Sequence, residues 1–246
     1  RHHTLGASFL GSEERMKKTL SAMAVLFCVF LPVKFAIAGE LPVCLQLGKS
    51  PTVRSVIEAS RIAEEEVLAR LVYAESSSTG YADDQAVYEA IAWGVMNRVR
   101  LSGAFPSKAR IYGRGIKGVI FKEGQFNPAV SKRSRFSREF LCPADKARWR
   151  MAEQAARRAL SGSGNPFIET PWEKEHGLSL VVGFYYPHSI QAKGPLAPWE
   201  KSRALRFIGD VKVGGTVLSG RKVRFYRLTS APGGAGAAHP PGVGPH

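Results

Sequence analysis

Glu75 is the residue whose type and place together could do chemistry. In the segment Ala69-Arg70-Leu71-Val72-Tyr73-Ala74-Glu75, the residues Leu68, Leu71 and Glu75 run i, i+3, i+7, and Val67 leads to Leu71 and Glu75 by steps of four. A carboxyl therefore projects from the face that Leu and Val bury. The neighbouring Glu64, Glu65 and Glu66 open the helix, where negative charge suits the dipole and water. Glu75 has no such explanation. A carboxyl set between apolar packing and a cleft loses hydration, its pKa rises, and it can hold a proton near neutral pH and donate it. That is what a general acid for glycosidic bond cleavage requires. The same pattern also accommodates a buried glutamate paired with an arginine such as Arg98, or one at a helix end that reaches solvent.

The elements that must position Glu75 are legible around it. Thr52 to Ser76 reads as helix, broken near Ser60, followed by a Ser76–Gly80 loop. Asp83 is the expected N-cap of a second helix from Asp84 to about Leu101, with Val87, Ile91, Val95 and Val99 spaced by four. The two helices should pack together. A Gly-rich, basic loop over Ser102–Gly115 leads to the apolar turn Ile116–Phe121, and Ala144 to Leu160 forms a further helix closed by Ser161-Gly162-Ser163-Gly164. The remainder turns to strand: Leu178–Tyr186, then a hairpin of Ala204–Val213 with Val217–Leu228 around Gly214-Gly215. Helices followed by a few strands make an α+β domain, mainly helical, with a small C-terminal antiparallel hairpin or sheet.

Around this domain the chain reads as a set of appendages. Met16-Lys17-Lys18, the apolar run Leu20–Leu31 and Ala36-Ile37-Ala38 have the order of a cleaved export signal, with residues 1–15 as an upstream extension. The expected division is thus 1–38 extension and signal, 39–61 lead-in, 62–228 the domain, and 229–246 a disordered Gly/Pro/Ala tail. Export would place the protein in the periplasm or outside the cell, with no stable membrane span once the signal is removed. Cys44 and Cys142 would then be the two remaining cysteines, able to form one bridge or to stay as two thiols. The net charge is +15, of which residues 1–38 carry +3, leaving +12 and an expected anionic partner. For an exported protein that partner is wall or lipid rather than nucleic acid, although charge alone permits a nucleic-acid reading.

Other chemistries find little support. Ser76-Ser77-Ser78 lacks a G-x-S-x-G elbow, and His176 and His188 stand alone without H-E-x-x-H. No Cys/His cluster suggests zinc, and Gly113-Arg114-Gly115 is too short for a nucleotide loop, so neither metal nor cofactor is expected.

Four stretches in order carry a resemblance: Leu68 to Glu75; Gln85-Ala86-Val87 with Trp93-Gly94-Val95-Met96-Asn97-Arg98-Val99; Gly118-Val119-Ile120 with Gly124-Gln125-Phe126-Asn127-Pro128; and Gly183-Phe184-Tyr185-Tyr186-Pro187 with Pro198-Trp199. Together, from Ala63 to Leu228, they resemble the cell wall hydrolase family of the spore cortex-lytic enzymes. Ser76 departs from the pattern, which usually has Ala there, and Ser102–Lys117 is longer and more basic. The resemblance implies a lysozyme-like fold shared with lytic transglycosylases, action on the glycan strands of peptidoglycan, and Glu75 as the essential acid.

Candidate substrate contacts accompany it. Gln125 can hydrogen-bond sugar hydroxyls or an acetamido group, and Phe126, Tyr185, Tyr186 and Trp199 can supply flat apolar faces for sugar rings; each is equally a good structural residue. Asn97 and Arg98 are expected to tie helices or the Glu75 carboxyl in place. One convincing carboxylate, with Asp83 and Asp84 explained by capping, suits what the resemblance implies, a lytic transglycosylase giving 1,6-anhydromuramyl ends. A hydrolytic muramidase acting on the same bond and a non-catalytic wall-binding protein are the alternatives.

Overall fold

A computed structural model describes residues 40–232. The expected leader over 1–38 and the tail from residue 233 onward lie outside the described residues.

The helical part is assembled from α1 (Val53–Ser60), α2 (Glu64–Ser78), α3 (Gln85–Ala104), α4 (Pro106–Tyr112), α5 (Gly115–Ile120), α6 (Asn127–Val130), α7 (Ser137–Leu141), α8 (Lys146–Ser161) and α9 (Pro171–His176). Thr52 and Ser55 form a capping box that starts α1, and Arg61, in the left-handed region at φ 52°, ends it. The expected break near Ser60 is therefore present. The expected loop at Ser76 is not: α2 continues through Ser78, because Ser78 and Thr79 turn their hydroxyls back onto the Glu75 and Ser76 carbonyls at 2.8 and 2.7 Å. The cap of α3 also differs by one residue. Asp84, not Asp83, accepts the Ala86 N–H at 3.1 Å, while Asp83 reaches out to Arg148 at 3.0 Å.

The stretch Ser102–Gly115, expected as loop, contains α4. Pro106 sits in its first turn, where a missing N–H costs no hydrogen bond. The apolar turn at Ile116 is α5, as its pattern suggested, and α8 ends on Gly162 in the left-handed region.

α2, α3 and α8 form the centre of the fold. Val67, Leu68, Leu71 and Val72 of α2 and Val87, Ile91 and Val95 of α3 are buried, and Ala152, Ala155, Ala156 and Ala159 give α8 a flat face for close approach. From Val67 to Ser76 every residue of α2 is buried, Arg70 included, so it is an interior helix and not the one-sided amphipathic helix the spacing implied.

The C-terminal part is antiparallel sheet. β1 (Val181–Tyr185), β2 (Leu205–Phe207) and β5 (Arg224–Leu228) form one sheet in the order β1-β5-β2, and β3 (Val211–Val213) pairs with β4 (Thr216–Leu218) in a second. The single hairpin expected for Ala204–Leu228 is thus divided. Its tip turns at Gly214-Gly215, both with positive φ, and its outer arms β2 and β5 pair with each other, β5 also pairing with β1. The α+β class, mainly helical with a small C-terminal antiparallel sheet, is what the structure shows.

Side chains of α3 seat β1. Asn97 donates to the Val181 carbonyl at 3.0 Å and Arg98 to the Val182 carbonyl at 2.5 Å. A Cβ on Gly94 would lie 2.8 Å from the Phe184 ring, so only glycine lets the sheet come this close to α3. On the far side Glu173 accepts from Leu180 N–H at 2.7 Å and from Arg227 at 3.2 Å, latching α9 to β1 and β5. Phe184 and Phe225 therefore face the helices.

Candidate active site

Glu75 sits near the end of α2, 6% exposed. Burial, which penalises the charged form, pushes its pKa up to about 7. Two neighbours act in the opposite direction. The Tyr186 hydroxyl approaches the carboxyl, and the Arg98 guanidinium adds a favourable charge, but neither offsets the loss of water. The approach of Tyr186 stops short of a complete hydrogen bond, since its buried hydroxyl has no partner of full hydrogen-bond geometry. Burial and the adjacent carboxyl raise Tyr186 well above an ordinary phenol, so it remains a donor.

Arg98 is 7% exposed and is held from several sides. Its Nε donates to the Val182 carbonyl and its Nη1 to Gln125 Oε1 at 2.8 Å, while the guanidinium lies over Phe126 and Phe184 at 4.7 and 4.9 Å. The paired-glutamate alternative is not what forms: Arg98 is within 4.0 Å of no described carboxylate oxygen. Arginine can only donate, so the oxygen of the Gln125 amide must face it and the NH₂ group must point away. Half-buried Gln125 thereby presents two donors in a fixed direction.

The structure divides the remaining sequence-derived candidates. Phe126 is 1% exposed, its ring packed against Arg98 and Phe184, so it supports the site from below and offers no face to a sugar. Tyr186 joins Phe184 on the helix side. Tyr185 and Trp199 stand on the opposite face of the sheet, packed edge to face with each other, and Trp199 packs in turn on Tyr226. Glu75, Arg98, Gln125 and Tyr186 are brought together; Tyr185 and Trp199 are not part of that group. The carboxylates at the start of α3 and just before it are engaged in ion pairs, Asp83 with Arg148, Asp84 with Lys222 at 2.8 Å and Glu89 with Arg158 at 2.6 Å. Among the described residues no group of three or more His, Cys, Asp or Glu could hold a metal ion, and no helix is long and apolar enough to cross a membrane.

Residues 83–170 match the family model described as Cell Wall Hydrolase. Over that stretch the chain is similar to the cell wall hydrolases. The match agrees with the resemblance drawn from the motifs, over a shorter stretch; it takes in Arg98, Gln125 and Phe126, while Glu75 lies ahead of it and Tyr186 beyond it. No curated protein and no solved structure matches the chain. The match supports cleavage of peptidoglycan in general.

Two supports of this site are only partly legible in the sequence, which left the Cys44–Cys142 bridge open against two free thiols. The link from Arg98 to Gln125 spans 27 residues, and its only sequence signal is a polar Asn97-Arg98 pair inside an apolar helical run. The second is a clamp on the lead-in. Cys44 and Cys142 are disulfide-bonded across 98 residues, and beside them Arg70, fully buried, donates to the carbonyls of Val43 and Leu141 at 2.6 Å each. Leu45 N–H adds a bond to Leu141 O at 2.9 Å. The lead-in, with Val53, Val56 and Ile57 of α1 in the core, packs as part of the domain. Arg70 belongs to α2, so the clamp bears directly on the helix that carries Glu75.

Proposed function

We propose that the protein is an exported enzyme that cleaves the peptidoglycan glycan strand between N-acetylmuramic acid and N-acetylglucosamine, with Glu75 as a single general acid and base. The observation that carries this reading is Glu75 itself: a buried carboxyl near the end of α2, with its pKa pushed up to about 7 beside an unpartnered phenol and a half-exposed amide. A group with that pKa is divided between acid and base near neutral pH, which suits a residue that must give a proton and take one back.

The steps follow from the groups present. Protonated Glu75 gives its proton to the oxygen that links C1 of the muramic acid to the next sugar, and the C1–O bond breaks, releasing a free 4-hydroxyl. The cationic sugar is stabilised by its own acetamido group. Glu75, now a carboxylate near Arg98 and Tyr186, removes the proton of the C6 hydroxyl, and O6 closes onto C1 to give a 1,6-anhydromuramyl end. No second protein carboxylate is required, which agrees with the engagement of Asp83, Asp84 and Glu89 elsewhere. The NH₂ group of Gln125 suits an acetamido or hydroxyl oxygen. A lysozyme-like arrangement and action in the periplasm or at the cell wall complete the proposal.

Digestion of purified sacculi followed by mass spectrometry of the soluble products tests it. Anhydromuramyl ends are expected. Reducing ends in their place would move the assignment to a hydrolytic muramidase, and binding without release to a wall-binding protein.

A further inference from the structure

Beyond Tyr186 the chain builds a second concavity that the cleavage steps do not use. A cavity of about 560 Å³ opens between the loop leaving β1 and the start of β5, with Pro187, His188, Pro195, Leu196, Arg221 and Arg224 in its lining. Pro187 in its wall is bonded to Tyr186, whose hydroxyl approaches Glu75, so one chain segment serves both places.

The cavity is preformed. Tyr185 donates its hydroxyl to the Gly194 carbonyl at 2.7 Å and is itself held edge to face by Trp199. Ser189 N–H bonds the Tyr186 carbonyl at 3.1 Å and Ala192 N–H the Ser189 carbonyl at 2.9 Å, and the His188 ring stands against Tyr81. Tyr185 and Trp199, expected from sequence to face sugar, thus act as the frame of this loop.

Charge and polarity within it are specific. Arg224 is paired with Glu200 at 2.7 Å and stacked over Phe207 at 3.8 Å, so it is both neutralised and immobile. Arg221 is exposed and makes no ion pair with any described residue. Apart from His188, whose ring stands against Tyr81, the rest of the lining is small or apolar, and Leu196 is exposed to solvent. One free cation beside shallow apolar walls fits a short peptide that carries a free carboxylate and small side chains.

We infer that this cavity is a subsite for the short peptide carried by the lactyl group of N-acetylmuramic acid, with Arg221 meeting a peptide carboxylate. The inference rests on the peptidoglycan reading above and extends it from the glycan to its substituent. A carboxylate could also come from the lactyl group itself once the peptide is removed, and the two sources are separable.

The test is a calorimetric titration of the full chain with the disaccharide N-acetylglucosaminyl-N-acetylmuramic acid, with and without its peptide. This ligand lacks the bond to be cleaved. The peptide-bearing form is expected to bind at least about fivefold more tightly, and Arg221→Glu to remove that difference, the effect of one charge-assisted contact reduced by exposure. Equal affinity for the two forms, or tighter binding of the peptide-free form with its bare lactyl carboxylate, overturns the inference. Cleavage of sacculi, followed separately, reports on the catalytic reading: peptide discrimination without cleavage would refute catalysis and leave the subsite standing.

Discussion

Replacing Glu75 by glutamine should stabilise the protein, and by an amount that depends on pH. Folding takes this carboxyl out of water and raises its pKa from 4.5 to about 7. The folded state therefore binds more protons than the unfolded chain between those two values, and Glu75 withdraws stability as the pH climbs through that window. Below 4.5 both states are protonated and the penalty is absent; above 7 it is complete. At 1.36 kcal/mol per unit of pKa, the full penalty is on the order of 3 kcal/mol. Glutamine has the same shape and never ionises. Thermal unfolding of wild type and Glu75→Gln followed by circular dichroism should then give similar midpoints at pH 4 and a gap of roughly 6–12 °C in favour of the variant at pH 9, the scale expected for a chain of this size. Parallel curves across this range would refute the assignment of the shift to burial, and with it the argument that Glu75 is held protonated near neutrality.

Three further outcomes follow from the same geometry. The rate of glycan cleavage should fall above an apparent pKa of about 7, as Glu75 loses the proton it must donate, and a flat rate from pH 6 to 9 would count against it. Gln125→Glu keeps an oxygen for Arg98 but removes both donors, so KM or kcat should worsen by roughly 10- to 100-fold while the melting temperature changes little; Gln125→Asn, too short to span to Arg98, should be intermediate. Replacing Cys44 and Cys142 with serine should cost about 2–5 kcal/mol in urea unfolding, given the 98 residues the bridge encloses, and an unchanged midpoint would mean that Arg70 alone secures the lead-in.

How far the sequence spoke depended on the range of each interaction. Glu75 could be found because a carboxyl interrupts an apolar helical spacing, a signal confined to a few residues, and Gly214-Gly215 marked a turn because only such residues suit its backbone. The end of α2 was misjudged because Ser78 and Thr79, residues typical of loops, here bond back to the helix. α4 was hidden by flanking glycines that outweighed Pro106 as a start signal. What sequence could not supply was pairing at a distance: β5 as the central strand between β1 and β2, the disulfide as against free thiols, and the hydrogen bond by which Arg98 orients Gln125. Aromatic residues were the least legible. Phe126, Tyr185, Tyr186 and Trp199 have the same composition signal, and only the alternation of β1 and its packing on α3 separates the one beside Glu75 from the two behind the sheet.

The central claim is that Glu75 carries the proton in glycan cleavage, and the most direct measurement is the rate at which wild type and Glu75→Gln release soluble fragments from purified sacculi at pH 6, with both proteins shown to be folded. The variant should lose at least about a hundredfold, the range for removal of a general acid, in a protein no less stable than wild type. Comparable rates from the two would contradict that claim.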